Sequence, residues 1–125
     1  MYTPSETVSY EKKVKACFYQ QGGQMIPETK TTLDDNFRSV ECTTPIKVEI
    51  WAFLEPPKSS PKYKILLMLR NFIGATKKPD IDNIAKIVLD GLTGAAWKDD
   101  SAVTDLTVHK SYDEVPRVVV EINRI

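Results

Sequence analysis

Between Lys77 and Asp100 the sequence reads KKPDIDNIAKIVLDGLTGAAWKDD, with Asp80 and Asp82 ahead of a helical pattern, Lys86 and Asp90 inside it, and Asp99 and Asp100 beyond it. Like charges gathered in one region raise one another's pKa values and cost stability unless a cation neutralises them. A hard divalent ion is the natural remedy. Oxygen donors with no His or Cys nearby favour Mg²⁺ or Mn²⁺ over zinc, and Mg²⁺ uses a few carboxylates while keeping waters that a phosphate can replace. The chemistry this suggests is metal-assisted phosphoryl transfer. An EF-hand calcium loop is excluded, because D-x-[DN]-x-[DN]-G with a late Glu is absent.

A plainer reading stands beside it. On a helix from Asp82, steps of about 100° place Ile81, Ile84, Ala85, Val88 and Leu92 on a core face. Asp82, Lys86 and Asp90 fall along a polar stripe, with Ile87 on that polar side. The i,i+4 pairs Asp82/Lys86 and Lys86/Asp90 could be ordinary helix-stabilising salt links, contributing about 0.2 to 0.5 kcal/mol each.

The elements that must position these residues follow from patterning. Thr3-Pro4-Ser5-Glu6 has the form of a capping box that opens a helix. Tyr10, Val14, Cys17 and Phe18 continue it on one face to about Gln21, and Gly22-Gly23 ends it. Residues 24–44 show no clear period and are expected as loop with a helical turn around 33–39. Pro45 to Glu55 alternates as a strand, with Ile46, Val48, Ile50, Ala52 and Leu54 opposite Lys47, Glu49, Trp51, Phe53 and Glu55. Pro56-Pro57 stops it, and Ser59-Ser60-Pro61 starts a short helix through KYKILLMLR. A second long helix spans Asp82 to Leu92 and closes at Gly94. Ser101–Lys110 and Pro116–Ile125 are expected as two strands of a hairpin joined across SYDEVP.

Composition bounds the rest. The 125 residues are 42% hydrophobic and 27% charged, and no apolar run is long enough to span a bilayer. A soluble, cytoplasmic protein of one domain, residues 1–125, is the expectation, with no secretory signal at the N-terminus. Cys17 and Cys42 form no C-x-x-C pair and are read as reduced thiols. The 17 basic and 17 acidic residues cancel, so a nucleic-acid partner requires charge to be sorted in space. Lys77, Lys78 and Lys98 bracket the carboxylates, whereas Lys12, Lys13, Lys15, Lys58, Lys62 and Lys64 read as solvated surface.

K-P-D-I-D-N-I-x-K at 78–86, the L-D-G-L that follows, and W-K-D-D-S at 97–101 resemble the signature of the RusA family of Holliday junction resolvases. The HKSYDEVPRVVVEI tail is similar to that family's closing hairpin, and YTPSETVSYE to its first helix. The resemblance implies an α+β fold, a small mixed or antiparallel sheet of three or four strands with two main helices packed on it. It implies a magnesium-dependent, structure-specific endonuclease that resolves four-way junctions in recombination and repair, of prophage origin. Asp80, Asp82 and Asp100 would be the essential carboxylates that hold Mg²⁺, with Mn²⁺ as a substitute, and Lys86 the essential basic residue of the site. Asp99 and Asp90 match family positions, and Asn83 is a candidate to orient a ligand carboxylate.

Two-fold related strands in a junction call for a C₂ homodimer, with Trp51, Phe53 and Ile87 as candidate surface. Lys77, Lys78 and Lys98 would meet DNA phosphates. Trp97 is expected to anchor its turn in the core, with base stacking the other option. His109 is expected to be structural. No small-molecule cofactor and no membrane are implied. Relatives commonly begin with a strand and a basic segment ahead of the YTP helix, and this sequence begins at that helix. That departure leaves a second expectation, a DNA-binding module of the same fold with weak or no cleavage.

Overall fold

The computed structural model describes residues 4–125, with side chains from Tyr10 onward, so the capping box at Thr3 lies outside the described residues. In chain order the elements are α1 (Pro4–Gln20), β1 (Thr29–Leu33), β2 (Ser39–Thr43), β3 (Ile46–Leu54), α2 (Lys62–Leu69), α3 (Ile81–Leu92), β4 (Val103–Tyr112) and β5 (Arg117–Arg124). The architecture is α+β, with a three-stranded mixed sheet and a separate two-stranded hairpin.

β3 organises the molecule. Its alternation buries Ile46, Val48, Ile50 and Ala52, each at most 2% exposed, against α3. β4 runs parallel to β3 on one side, with Ile50 opposite Val108, and β5 runs antiparallel on the other, with Ile50 opposite Val120. The expected β4–β5 hairpin is therefore not formed: both strands flank β3, and residues 113–116 pass over its end, where the Asp113 N–H donates to the Leu54 carbonyl. A parallel neighbour needs a long crossover, and the segment holding α2 and α3 supplies it. Sequence adjacency suggests a hairpin, but β3, buried at the centre of the sheet, has backbone N–H and C=O groups on both edges to pair, and β4 and β5 take one edge each.

The segment expected as loop carries the β1–β2 hairpin instead, from Thr29 paired with Thr43 to Leu33 paired with Ser39. Its residues are almost all exposed, so no hydrophobic period marks it. Turn chemistry shapes its tip: Asp34 Oδ1 accepts the Asn36 and Arg38 N–H groups, both at 2.9 Å, and Asp34 Oδ2 accepts from Arg38 Nε at 2.8 Å.

α3 buries a wider face than expected. Ile84, Ile87, Val88, Gly91 and Leu92 are its buried residues, in the i, i+3, i+4, i+7, i+8 pattern. Ile87 was placed on the polar side and is 8% exposed, while Ile81 was placed in the core and is 47% exposed. The reason is that α3 packs on two sides, against β3 through Ile84, Val88 and Leu92 and against α1 through Gly91, where Val14 sits. Ile81 lies at the helix start, beyond that cover. Val14 and Phe18 of α1 join the core as expected, whereas Cys17 is exposed. Both cysteines are free thiols.

The other face of the sheet is open. Strand alternation and register place Glu49, Trp51 and Phe53 there beside Thr107, His109 and Ser111 on β4 and Arg117, Val119 and Glu121 on β5. Trp51 stacks on His109 with centroids 5.6 Å apart, His109 Nε2 lies 2.7 Å from Glu49 Oε2, and the Arg117 guanidinium sits 4.1 Å over the Phe53 ring. His109 thus has the structural role expected of it.

Candidate active site

Asp80 is the N-cap residue of α3, in extended backbone geometry, yet its side chain makes no capping hydrogen bond. An Asp in this position ordinarily accepts from the second or third helical N–H, an interaction worth about 0.5 to 2 kcal/mol. Here the carboxylate turns away and meets the Lys78 ammonium, Nζ to Oδ2 at 2.7 Å. That hydrogen bond is the main cause holding the Asp80 carboxyl below the ordinary carboxylate range, joined by the charges of Lys78 and Lys110. The Lys78 ammonium is pushed up in turn, first by its bond to Asp80, then by the charge of Asp80 and, more weakly, of Asp82. The Lys78 ammonium is thus bonded to Asp80 and feels Asp82 only through its charge.

Asp82 stands in the first turn of α3, and its Oδ1 accepts the backbone N–H of Asn83 at 3.0 Å. That contact comes from the Asn83 main chain and not from its side chain. Asp82, Asn83, Lys86 and Asp90 are all exposed. Among the described residues no ion pair joins Lys86 to Asp82 or Asp90, so the salt-link reading of this stripe is not realised.

The second acidic pair is delivered by a tight turn. Trp97 is 1% exposed, its Nε1 donates to Thr93 Oγ1 at 3.1 Å, and that hydroxyl donates to the Leu89 carbonyl at 2.8 Å. Gly94, at φ 86°, donates its N–H to the Trp97 carbonyl at 2.7 Å, a turn that requires the left-handed region. Trp97 anchors the turn, and its burial removes the stacking option. Asp99 then caps a 3₁₀ turn over Asp100–Ala102, with Oδ1 accepting the Ser101 N–H at 3.0 Å. That bond, above all, holds the Asp99 carboxyl below the ordinary range, with a further contribution from the Asp100 side chain. Asp99 is committed to the backbone while Asp100 stays exposed beside it.

The carboxylates stand as two pairs of near neighbours in sequence, Asp80 with Asp82 at the start of α3 and Asp99 with Asp100 at the 3₁₀ turn. Among the described residues no three His, Cys, Asp or Glu side chains are gathered closely enough to hold a metal ion. The Asp80–Asp82 donors nevertheless fit a hard cation in kind: they are oxygen atoms, exposed and able to leave several positions to water, and Mg²⁺ is commonly held by one or two carboxylates plus a substrate phosphate. Of the flanking cations, Lys77 and Lys78 are exposed, and Lys98 Nζ lies 3.5 Å from Glu28 Oε2.

One residue at this site escaped the sequence reading. Lys110 of β4 donates to the backbone carbonyls of Lys77 at 2.7 Å and Pro79 at 2.9 Å. Its signal was faint but present, a lysine standing between Val108 and Tyr112 in the apolar phase of an alternating strand.

The family model for endodeoxyribonuclease RusA matches residues 1–123. The chain belongs to the RusA family. This RusA family member is also 39% identical over 85 residues to the uncharacterized protein YqaN of Bacillus subtilis (strain 168). The matched stretch is 66% of this chain and 60% of that relative. No helix among the described residues is long and apolar enough to cross a membrane.

Proposed function

We propose that this RusA family member is a divalent-metal-dependent endonuclease that nicks four-way DNA junctions, serving recombination and repair in the cytoplasm and carried by a prophage. The family match supports the reaction class. The observation that carries the site is the uncapping Asp80: a carboxylate in the N-cap position that forgoes the helix and instead pairs with the solvent-facing Lys78 ammonium at 2.7 Å.

Asp80 and Asp82 would hold Mg²⁺ or Mn²⁺, and Asp100, the third carboxylate of the family pattern, would have to move toward them to join, since the described residues do not gather the three. Such an ion supplies Lewis-acid polarisation of a phosphate and lowers the pKa of an attacking water. Lys86, one turn along the exposed stripe from Asp82 and without an internal partner, offsets the negative charge that builds on the phosphate oxygens. Lys78 holds the Asp80 charge in the free protein and is placed to pass to a DNA phosphate, with Lys77 and Lys98 adding positive charge beside ligands that would otherwise repel the backbone. Asp99 shapes the turn that presents Asp100, Asn83 steadies Asp82, and Asp90 extends the polar stripe.

Paired nicking of a two-fold junction requires two copies. The open sheet face suits a second copy better than DNA, because Glu49, Asp105 and Glu121 on it would repel phosphate, and Lys47 and Arg117 on the same face offer opposite charge to a matching copy. Trp51 and Phe53 supply its apolar area, and Ile87, buried in α3, does not.

The test is nicking of a synthetic mobile junction in Mg²⁺, beside linear duplex, with binding followed separately in Ca²⁺. Selective cutting of the junction, lost in Asp82→Asn, is the expected result. Junction binding with no cutting would favour a binding module of the same fold, and no selective binding would remove the nucleic-acid reading altogether.

A further inference from the structure

Lys110 does not behave like the other lysines around the carboxylates. Lys78 is 70% exposed along its side chain, and Lys77 is exposed, so both ammonium groups are available to an incoming anion. Lys110 pairs with buried Ala52 in the β3–β4 ladder and emerges on the helix-covered face of the sheet, between Val108 and Tyr112. A lysine on that face is stable only when its ammonium finds partners. The partners it finds are main-chain carbonyls, those of Lys77 and Pro79, which bracket Lys78 and lead directly into Asp80.

That choice of partners has a geometric effect. Two of the three N–H donors are spent on carbonyls two residues apart, so one point charge clamps both ends of the Lys78–Pro79 dipeptide. Asp80 makes no capping bond, so the helix itself does not fix its side chain. The loop must do so, and the loop is tied to β4 through Lys110. The carbonyls leave the positive charge uncancelled, and it reaches Asp80 through space.

We propose that Lys110 is a positioning residue of the site: its ammonium clamps the Lys77–Asp80 loop to the sheet and thereby sets where the Asp80 carboxylate and the Lys78 ammonium stand relative to Asp82. The role in metal binding rests on the proposed function above, whereas the clamp itself does not. Lys110 touches neither metal nor phosphate in this role. It acts through the backbone that carries the groups which do.

The test uses the full chain with Lys110→Met, which keeps the apolar stem, Lys110→Arg, which keeps charge and donors, and Lys110→Gln, which keeps a donor without charge. Two readouts are taken together with thermal melting. Amide hydrogen exchange from Lys77 to Ile84, whose N–H donates to the Asp80 carbonyl at 3.1 Å, reports the clamp with no metal present. Mn²⁺ titration followed by electron paramagnetic resonance reports the site without reference to cleavage. The expected result for Lys110→Met is faster exchange confined to that loop and an apparent Mn²⁺ affinity lower by about tenfold or more, the range seen for groups that orient metal ligands. Lys110→Arg restores both. Unchanged loop exchange in a folded Lys110→Met or Lys110→Gln protein overturns the clamp, and unchanged Mn²⁺ affinity overturns its role in the site. A wild-type protein that takes up no Mn²⁺ overturns the metal reading, while the exchange data still decide the clamp.

Discussion

Gly91 of α3 faces the backbone of Glu11 in α1 so closely that a Cβ at position 91 would stand 3.0 Å from the Glu11 carbonyl oxygen and 3.1 Å from Val14 Cβ. The two helices meet backbone to backbone at this point, and the meeting sets the height of α3 over the sheet. Gly91→Ala gains helix propensity of up to about 1 kcal/mol but overpacks a contact that includes main chain, at about 1 to 3 kcal/mol. The expected outcome is a lower melting temperature by a few degrees, checked by differential scanning calorimetry. A raised one would show that α1 shifts freely.

Asp99 and Asp100 should separate by experiment although they are neighbours. Asp99→Ala removes the cap on the 3₁₀ turn, and about 0.5 to 2 kcal/mol of stability should go with it. Asp100→Asn should leave the melting temperature in place while junction nicking falls by a hundredfold or more, roughly the scale of losing one group that stabilises transition-state charge. Equal effects of the two changes on stability and on nicking would contradict the division.

Lys86→Ala removes an ammonium with no internal partner. Stability should hold within about 0.5 kcal/mol, as for surface changes away from buried networks. Turnover should drop by roughly two to three orders of magnitude, with junction affinity in Ca²⁺ little changed. Steady-state nicking and fluorescence anisotropy give the two numbers.

Trp51→Glu places a third carboxylate beside Glu49 and Glu121 on the open sheet face. A dimer formed through that face should dissociate, and sedimentation equilibrium should show monomer for the variant and dimer for the parent. Wild-type monomer at micromolar concentration would dispose of this interface.

The hairpin tip should respond to acid. The Asp34 carboxyl is held below the ordinary carboxylate range chiefly by the Arg38 backbone N–H, helped by the Asn36 N–H and the Arg38 side chain. A carboxyl lowered in the folded state stabilises fully above its unfolded pKa, and that contribution is lost as pH falls through the lowered folded value. The Asn36 and Arg38 amide signals should therefore stay native through the range where free aspartate titrates and shift only below it. In Asp34→Asn the titration should vanish.

Some of this molecule was legible in the order of its residues alone. The alternation of Ile46 to Leu54, the apolar period of α3 and the Gly94 stop are local properties, in which backbone geometry converts spacing directly into a face. The D-x-D pair and its lysine could be read for the same reason, since four residues on a helix are one turn. What folding decided was everything set by neighbours distant in sequence. Ile87 is buried and Ile81 exposed because α1 covers one and not the other, and β4 and β5 are kept apart because β3 binds both. The hairpin left no hydrophobic trace because almost all of its residues are exposed. Lys110 is 31 residues from the Pro79 carbonyl it holds, and no periodicity connects them. Residue types and short spacings specify which chemistry is possible, whereas long-range packing chooses which backbone each charge is tied to, because a charge in a partly buried place must take the partners that the fold puts within reach.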